Sequence, residues 1–233
     1  MSAPTGPAAP LQEGPALDRG PARPPDGAPG TGQFGILFVC TANICRSVIA
    51  ERLARRGLRA RLGGDACGFR VTSAGTASLE GCPVHPYTAE ALTWLGADAE
   101  GVASQQLTAA DIDTADLILA AGQQHRNQVI AMRPSASRRA YLLREFARMA
   151  AAASVSAEEA SAVEHARQLV AEVARRRGRV PYVEPAEDEI PDPVATAEAF
   201  LNCARVIDAA VSDVLDALSR RVPLGQYLGR HSR

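Results

Sequence analysis

The stretch Ile36-Leu37-Phe38-Val39-Cys40-Thr41-Ala42-Asn43-Ile44-Cys45-Arg46-Ser47 decides how this chain is read. An apolar run ends abruptly at a cysteine, and small and polar residues lead from it to an arginine and a serine. From Val48 to Leu62 the pattern is helical, with Ile49, Leu53, Leu58 and Leu62 apolar and arginines between them. A buried strand, a tight loop and a helix N-terminus make an anion site, because unpaired backbone N–H groups point into the loop. Arg46 adds a planar fork suited to holding a phosphate or arsenate through two hydrogen bonds. Cys40, at the foot of that nest, is placed where a thiolate is favoured, and the thiolate is the nucleophilic form.

Short apolar or β-branched runs recur at Phe69–Ala74, Leu117–Ala120 and Arg139–Leu142, after a first strand at Gly35–Val39. Helical patterns lie between them at Ser47–Leu62, Tyr87–Leu95 and Gln123–Met132, the second of these preceded by His85-Pro86. This alternation implies an α/β three-layer sandwich, with a mostly parallel four-stranded sheet and helices on both faces. Ligands bind such sheets at the C-terminal ends of the strands, where Cys40 stands. Arg144 to Arg177 reads as largely helical, with a start signal at Ser156-Ala157-Glu158-Glu159. Val180 to Pro193 reads as a loop rich in Pro, Glu and Asp. An amphipathic helix from Ala197 to Leu218 closes the pattern, its packing face formed by Phe200, Leu201, Val206, Ile207, Val211, Val214, Leu215 and Leu218.

The string Cys-x-x-Asn-x-Cys-Arg-Ser, between a strand and a helix, resembles the phosphate-binding loop of the low-molecular-weight protein-tyrosine-phosphatase family. The resemblance runs from about Phe34 to Leu218, through Ser73-Ala74-Gly75-Thr76 after the second strand and Asp192-Pro193 before the last helix. It implies a phosphate-binding loop of Thr41, Ala42, Asn43, Ile44, Cys45 and Ser47, with Cys40, Arg46 and Asp192 as the catalytic residues. In the family, Ser47 corresponds to a hydroxyl that hydrogen-bonds the thiolate. By its sequence alone Ser47 equally suits a helix N-cap. Asn43 corresponds to an asparagine that braces the loop, and otherwise reads as a turn residue tolerant of the left-handed region. Asp192 corresponds to the proton donor and, after cysteinyl-phosphate forms, to the base for water. Without the resemblance it is one of several acidic residues in a loop that also holds Glu187, Asp188 and Glu189. Cys45 corresponds to a cysteine able to form a reversible disulfide with the nucleophile; a small packing residue is the alternative.

The implied activity is a cysteine-dependent phosphomonoester hydrolase, a protein-tyrosine phosphatase acting on phosphorylated protein. No cofactor and no metal are needed, because Arg46 and the loop N–H groups neutralise the phosphoryl charge. Rival readings are an arsenate reductase, a protein-arginine phosphatase, which carries Thr where this chain has Ile44, and a non-catalytic anion-binding protein. Departures from the family pattern fall at Ala42 for Gly, Val48 for Pro, and Val102 at the position of a histidine. Val194 and Leu79-Glu80 stand where aromatic residues commonly wall the substrate pocket, so the grip on a phenyl ring is altered. If Ala42 needed a positive φ, alanine would cost about 1 kcal/mol there.

Composition bounds the rest. At 233 residues the chain suits one α/β domain at 33–222, with a helical insertion at about 147–180 and a C-terminal tail at 223–233. Residues 1–32, nearly all Ala, Pro, Gly and polar groups, read as a disordered tail with neither a secretory signal nor a membrane span. The net charge of −1 offers no case for a nucleic-acid partner. All 25 basic residues apart from histidine are Arg, which is a compositional bias together with the abundant Ala. Five cysteines without paired metal-type spacing fit a reduced, cytoplasmic setting. Cys67, Cys82 and Cys203 read as structural, and His85, His125, His165 and His231 as solvated or structural residues.

Overall fold

The computed structural model describes residues 32–155, 161–179 and 183–219. Four strands, β1 (Phe34–Cys40), β2 (Phe69–Gly75), β3 (Leu117–Ala120) and β4 (Ala140–Leu142), form one sheet in the order β2-β1-β3-β4. Every pairing is parallel, with Ile36 opposite Val71 on one side and Leu117 on the other. All seven residues of β1 are buried, as a strand covered on both faces requires. The chain runs outward in opposite directions from β1 and β3, so Cys40 ends a strand at the topological switch point.

The pleat divides the core in two. Ile36, Phe38 and Cys40 face a large cluster with α1 (Arg46–Leu62), α5 (Leu143–Ala151), α6 (Ala162–Arg176) and α8 (Ala197–Leu218). Leu37 and Val39 face a smaller one with Ile112 from α3 (Ala109–Asp113) and Val129 from α4 (Gln123–Met132). The remaining helices are α2 (Pro86–Trp94) and a single turn, α7 (Pro185–Asp188). Full burial of each Ile, Leu or Phe contributes about 1.5–3 kcal/mol, so both faces of β1 help to hold the helices against the sheet. Helices α1 and α8 approach closely at Gly57, where an added Cβ would lie 2.5 Å from Leu215 Cδ1.

The three-layer parallel architecture is the expected one, and several local expectations are corrected. The loop at Val180–Pro193 contains the helical turn α7, and Val180 to Tyr182 lie outside the described residues. The helix-start signal at Ser156–Glu159 also lies outside them, and α6 is capped instead by Ser161, whose side chain accepts from Glu164 N. Helix α3 and the 3-10 turns Gly63–Gly68 and Pro134–Arg138 were not legible as periodic segments, being too short to show a period. Val206, assigned to the packing face of α8, is 40% exposed, while Cys203, Ala204 and Ala210 fill that face with smaller side chains. Ala42 carries no positive φ; among the described residues, the left-handed ones other than glycine are Asn43 (φ 55°) and Ala195 (φ 64°). The expected tails at 1–32 and 223–233 fall outside the described residues, apart from Gly32.

Candidate active site

The loop from Cys40 to Arg46 turns directly from β1 into α1, and neighbouring backbone holds its outer side. Thr76 N donates to Cys40 O and Ala77 N to Thr41 O, both at 2.9 Å, and His85 N donates to Ile44 O at 3.1 Å. Gly75 makes that approach possible, since a Cβ there would lie 2.5 Å from Thr41 O. Ser78 Oγ donates to Ala42 O at 2.9 Å.

Inside the loop, one buried hydrogen-bonded chain orients the cysteine. Gln105 N can only donate, and it donates to Asn43 Oδ1 at 2.9 Å, which fixes the amide orientation. Asn43 Nδ2 then donates to Ser47 Oγ at 2.9 Å and to Ser73 Oγ at 2.8 Å. With that lone pair occupied, the Ser47 hydroxyl is free to donate to Cys40 Sγ, 3.0 Å away. Ser73 in turn donates to Glu51, which pairs with Arg55 at 2.7 Å. These bonds hold Asn43 in its left-handed conformation, which would otherwise cost about 1–2 kcal/mol. Ser47 is not an N-cap: α1 begins at Arg46 with Cys45 at the cap position and no side-chain cap bond. Val102, at the position of the family's histidine, packs against the large core.

Arg46 is 7% exposed and reaches across to the segment before α8. Its Nη1 donates to Ile190 O at 3.2 Å, and its Nη2 lies 2.9 Å from Asp192 Oδ2. The segment is anchored by Ile190 N donating to Ala121 O at 2.8 Å, just past β3. The neighbouring acids have other partners. Asp188 pairs with Arg148 at 2.7 Å, and Glu189 Oε1 accepts from Gln123 N at 2.8 Å at the start of α4. Asp192 is therefore the acidic side chain of this loop that meets Arg46.

Two residues outside the sequence motif also reach the site. His125, 1% exposed, places Nε2 2.9 Å from Thr41 Oγ1. Burial, assisted by the nearby Arg46 charge, pulls His125 down from 6.5 to about 4. Cys203 in α8 sits beside Cys45, with its Sγ 3.8 Å from Pro191 O. The Cys203 thiol contact and burial push the Cys45 thiol well above its ordinary value. His125 was read as a scattered histidine and Cys203 as purely structural, because nothing in the spacing links either to Cys40. Of the other histidines, His85 stacks on Phe200 (centroids 4.4 Å apart), His165 bonds Ala217 O, and His231 lies outside the described residues. Leu79 and Val194 are 77% and 72% exposed. Among the described residues no group of three His, Cys, Asp or Glu side chains could hold a metal ion.

A buried cysteine at a strand C-terminus, with an arginine six residues on that pairs with an aspartate from a later loop, defines a class, and comparison with known proteins agrees. The chain belongs to the low molecular weight phosphotyrosine protein phosphatase family, which matches residues 35–159, more than half of its length. It is 41% identical over 99 residues to the low molecular weight protein-tyrosine-phosphatase Etp of Escherichia coli K12, a match covering 42% of this chain and 62% of Etp. A protein-arginine-phosphatase of Geobacillus stearothermophilus is 31% identical over 113 residues, covering 48% of this chain and 71% of that relative. The tyrosine phosphatase amsI of Erwinia amylovora has the same fold, with a TM-score of 0.57, 24% identity and coverage of 82% of this chain and 97% of its own. No helix among the described residues is long and apolar enough to cross a membrane.

Proposed function

We propose that this protein is a cysteine-dependent phosphomonoester hydrolase that removes phosphate from tyrosine side chains of phosphorylated proteins. The observation that carries the reading is the convergence on one loop of three groups: Cys40 Sγ held by Ser47, the Arg46 fork, and Asp192 at 2.9 Å from that fork. In the first step Cys40 Sγ attacks phosphorus and the P–O bond to the substrate breaks. The departing oxygen takes the proton of Asp192. In the second step water attacks the cysteinyl-phosphate, Asp192 takes its proton, and the S–P bond breaks to release inorganic phosphate and the Cys40 thiolate. Arg46 and the N–H groups of Thr41 to Ser47 stabilise the equatorial oxygens in both steps. Some of the similar proteins are named arginine phosphatases, yet Ile44 offers a guanidinium phosphate a branched apolar side chain and no hydroxyl. An arsenate-reductase reading would need redox cysteines closely spaced on one segment, whereas Cys67 and Cys82 lie on different segments and Cys203 is buried in α8.

A panel of phosphotyrosine, phosphoserine and phosphoarginine peptides tests the assignment. We expect phosphotyrosine to be hydrolysed fastest, with a high KM, and phosphoarginine scarcely at all. Cys40→Ser should abolish turnover while leaving phosphate binding intact, because a serine hydroxyl is not ionised near neutrality. Preference for phosphoarginine, or appreciable hydrolysis by Cys40→Ser, would overturn the reading.

A further inference from the structure

The buried contact between His125 and Thr41 is not needed for any step above, yet it sits against the phosphate-binding arginine. Thr41 Oγ1 lies 2.9 Å from His125 Nε2 and 3.5 Å from Arg46 Nη2. A guanidinium nitrogen only donates, so the Thr41 oxygen accepts from Arg46 and still has its own proton to give. Gln124 Nε2, an amide nitrogen that also only donates, lies 3.4 Å from the same His125 nitrogen. Gln124 as donor makes Nε2 an acceptor, which places the ring proton on Nδ1, keeps the imidazole neutral and makes the Thr41 hydroxyl the donor of their pair. The charged groups that face the ring are Arg46 from α1, and Asp192 and Glu189 from the segment before α8. Gly122 leaves room for this packing. A Cβ there would lie 3.5 Å from both His125 Nδ1 and the Glu189 carboxyl.

We propose that neutral His125 is a positioning residue for the phosphate site: by taking the Thr41 proton it commits the Thr41 oxygen to Arg46, and so sets the direction in which Arg46 presents its fork to phosphate. A threonine hydroxyl without that acceptor rotates freely and can aim its proton at Arg46, where donor would meet donor. The inference rests on the phosphatase reading, but its first readout is phosphate binding and does not require turnover.

The test is a double-mutant cycle of Thr41→Val and His125→Leu, read by the Kd of inorganic phosphate and by kcat and KM for para-nitrophenyl phosphate. Each single variant should weaken phosphate about tenfold or more, as loss of a hydrogen bond to a charged group does. The double variant should be no worse than either single one, because both remove the same link. His125→Gln, whose side-chain oxygen can replace the Nε2 acceptor, should recover most of the loss. Additive losses, unchanged phosphate affinity in Thr41→Val, or no recovery in a folded His125→Gln would overturn the proposal. Should His125→Leu fail to fold, Thr41→Val and His125→Gln still decide. If the wild type binds phosphate but hydrolyses nothing, the phosphatase reading falls while the phosphate cycle still judges His125.

Discussion

Asp192 Oδ2 lies 2.9 Å from Arg46 Nη2, so the candidate proton donor and the candidate phosphate ligand are a single ion pair. The pair is lopsided: Arg46 is 7% exposed and Asp192 63%. A buried, donor-only fork is thus paired with a carboxylate that is open to solvent. The same contact separates Asp192 from Asp188 and Glu189, whose carboxylates serve Arg148 and the start of α4.

Asp192→Asn should therefore lower kcat by about 10²–10⁴-fold for phenyl phosphate and much less for para-nitrophenyl phosphate, whose leaving group needs little protonation. Its melting temperature should hardly move, since an exposed partner in an ion pair contributes about 0–1 kcal/mol. Equal losses on the two esters would remove Asp192 from the acid role.

Gly75→Ala places a Cβ against the backbone of the nucleophile loop, 2.5 Å from Thr41 O and 3.0 Å from the Ala42 carbonyl carbon. Backbone cannot rotate aside as a side chain can, so the loop must shift. A displacement of this size misaligns nucleophile and fork and should cost on the order of 10²-fold in kcat/KM. A folded Gly75→Ala variant with wild-type kinetics would show that the loop tolerates the push.

Val194 and Leu79 are exposed, at the positions where the family pattern expects an aromatic wall. An aromatic contact contributes about 0.5–1.5 kcal/mol beyond its buried area. Val194→Tyr should accordingly lower KM for phosphotyrosine peptides by about two- to tenfold with little change in kcat. An unchanged KM would mean that Val194 does not line the path of the ring.

His125 also imposes a pH dependence on stability. Its folded value is about 4 against an ordinary 6.5, so between these limits the unfolded chain binds a proton that the folded chain does not. Stability should rise with pH across that window, by at most about 1.4 kcal/mol per pH unit from this group. The penalty is complete below about pH 4 and absent above about pH 6.5. Urea midpoints from pH 4 to 7 should show wild type gaining on His125→Gln as pH rises. Parallel profiles would show that the ring is not the group responsible.

Cys45 is buried against Cys203, and its thiol is held well above the ordinary range. If Cys45 resolves a peroxide-oxidised Cys40, it must first lose its proton, so the disulfide should form faster as pH rises. Peptide mapping after mild peroxide should find more of the Cys40–Cys45 bridge, and less over-oxidised Cys40, at pH 9 than at pH 7. A bridge yield independent of pH, or one absent altogether, would leave Cys45 as a packing residue.

The layered fold and the core of the site were legible in the chain itself because they depend on local order. The run from Ile36 to Val39 is apolar on both faces and so demands a covered strand, and Cys40 to Ser47 follow it with no residue to spare before a helix. Chain connectivity alone then sets Cys40, Asn43, Arg46 and Ser47 around one anion nest. What the sequence could not supply was contact between residues far apart along the chain, which depends on how the helices close over the sheet. His125 meets Thr41 only because β3 pairs with β1 and brings the start of α4 beside the loop. Cys203 reaches Cys45 only because α8 packs on α1, and the contact that sets Asp192 apart from Asp188 and Glu189 is its ion pair with Arg46, those two having other partners. Periodicity records which face of an element is buried, whereas the identity of the neighbour on that face is a property of the packed molecule.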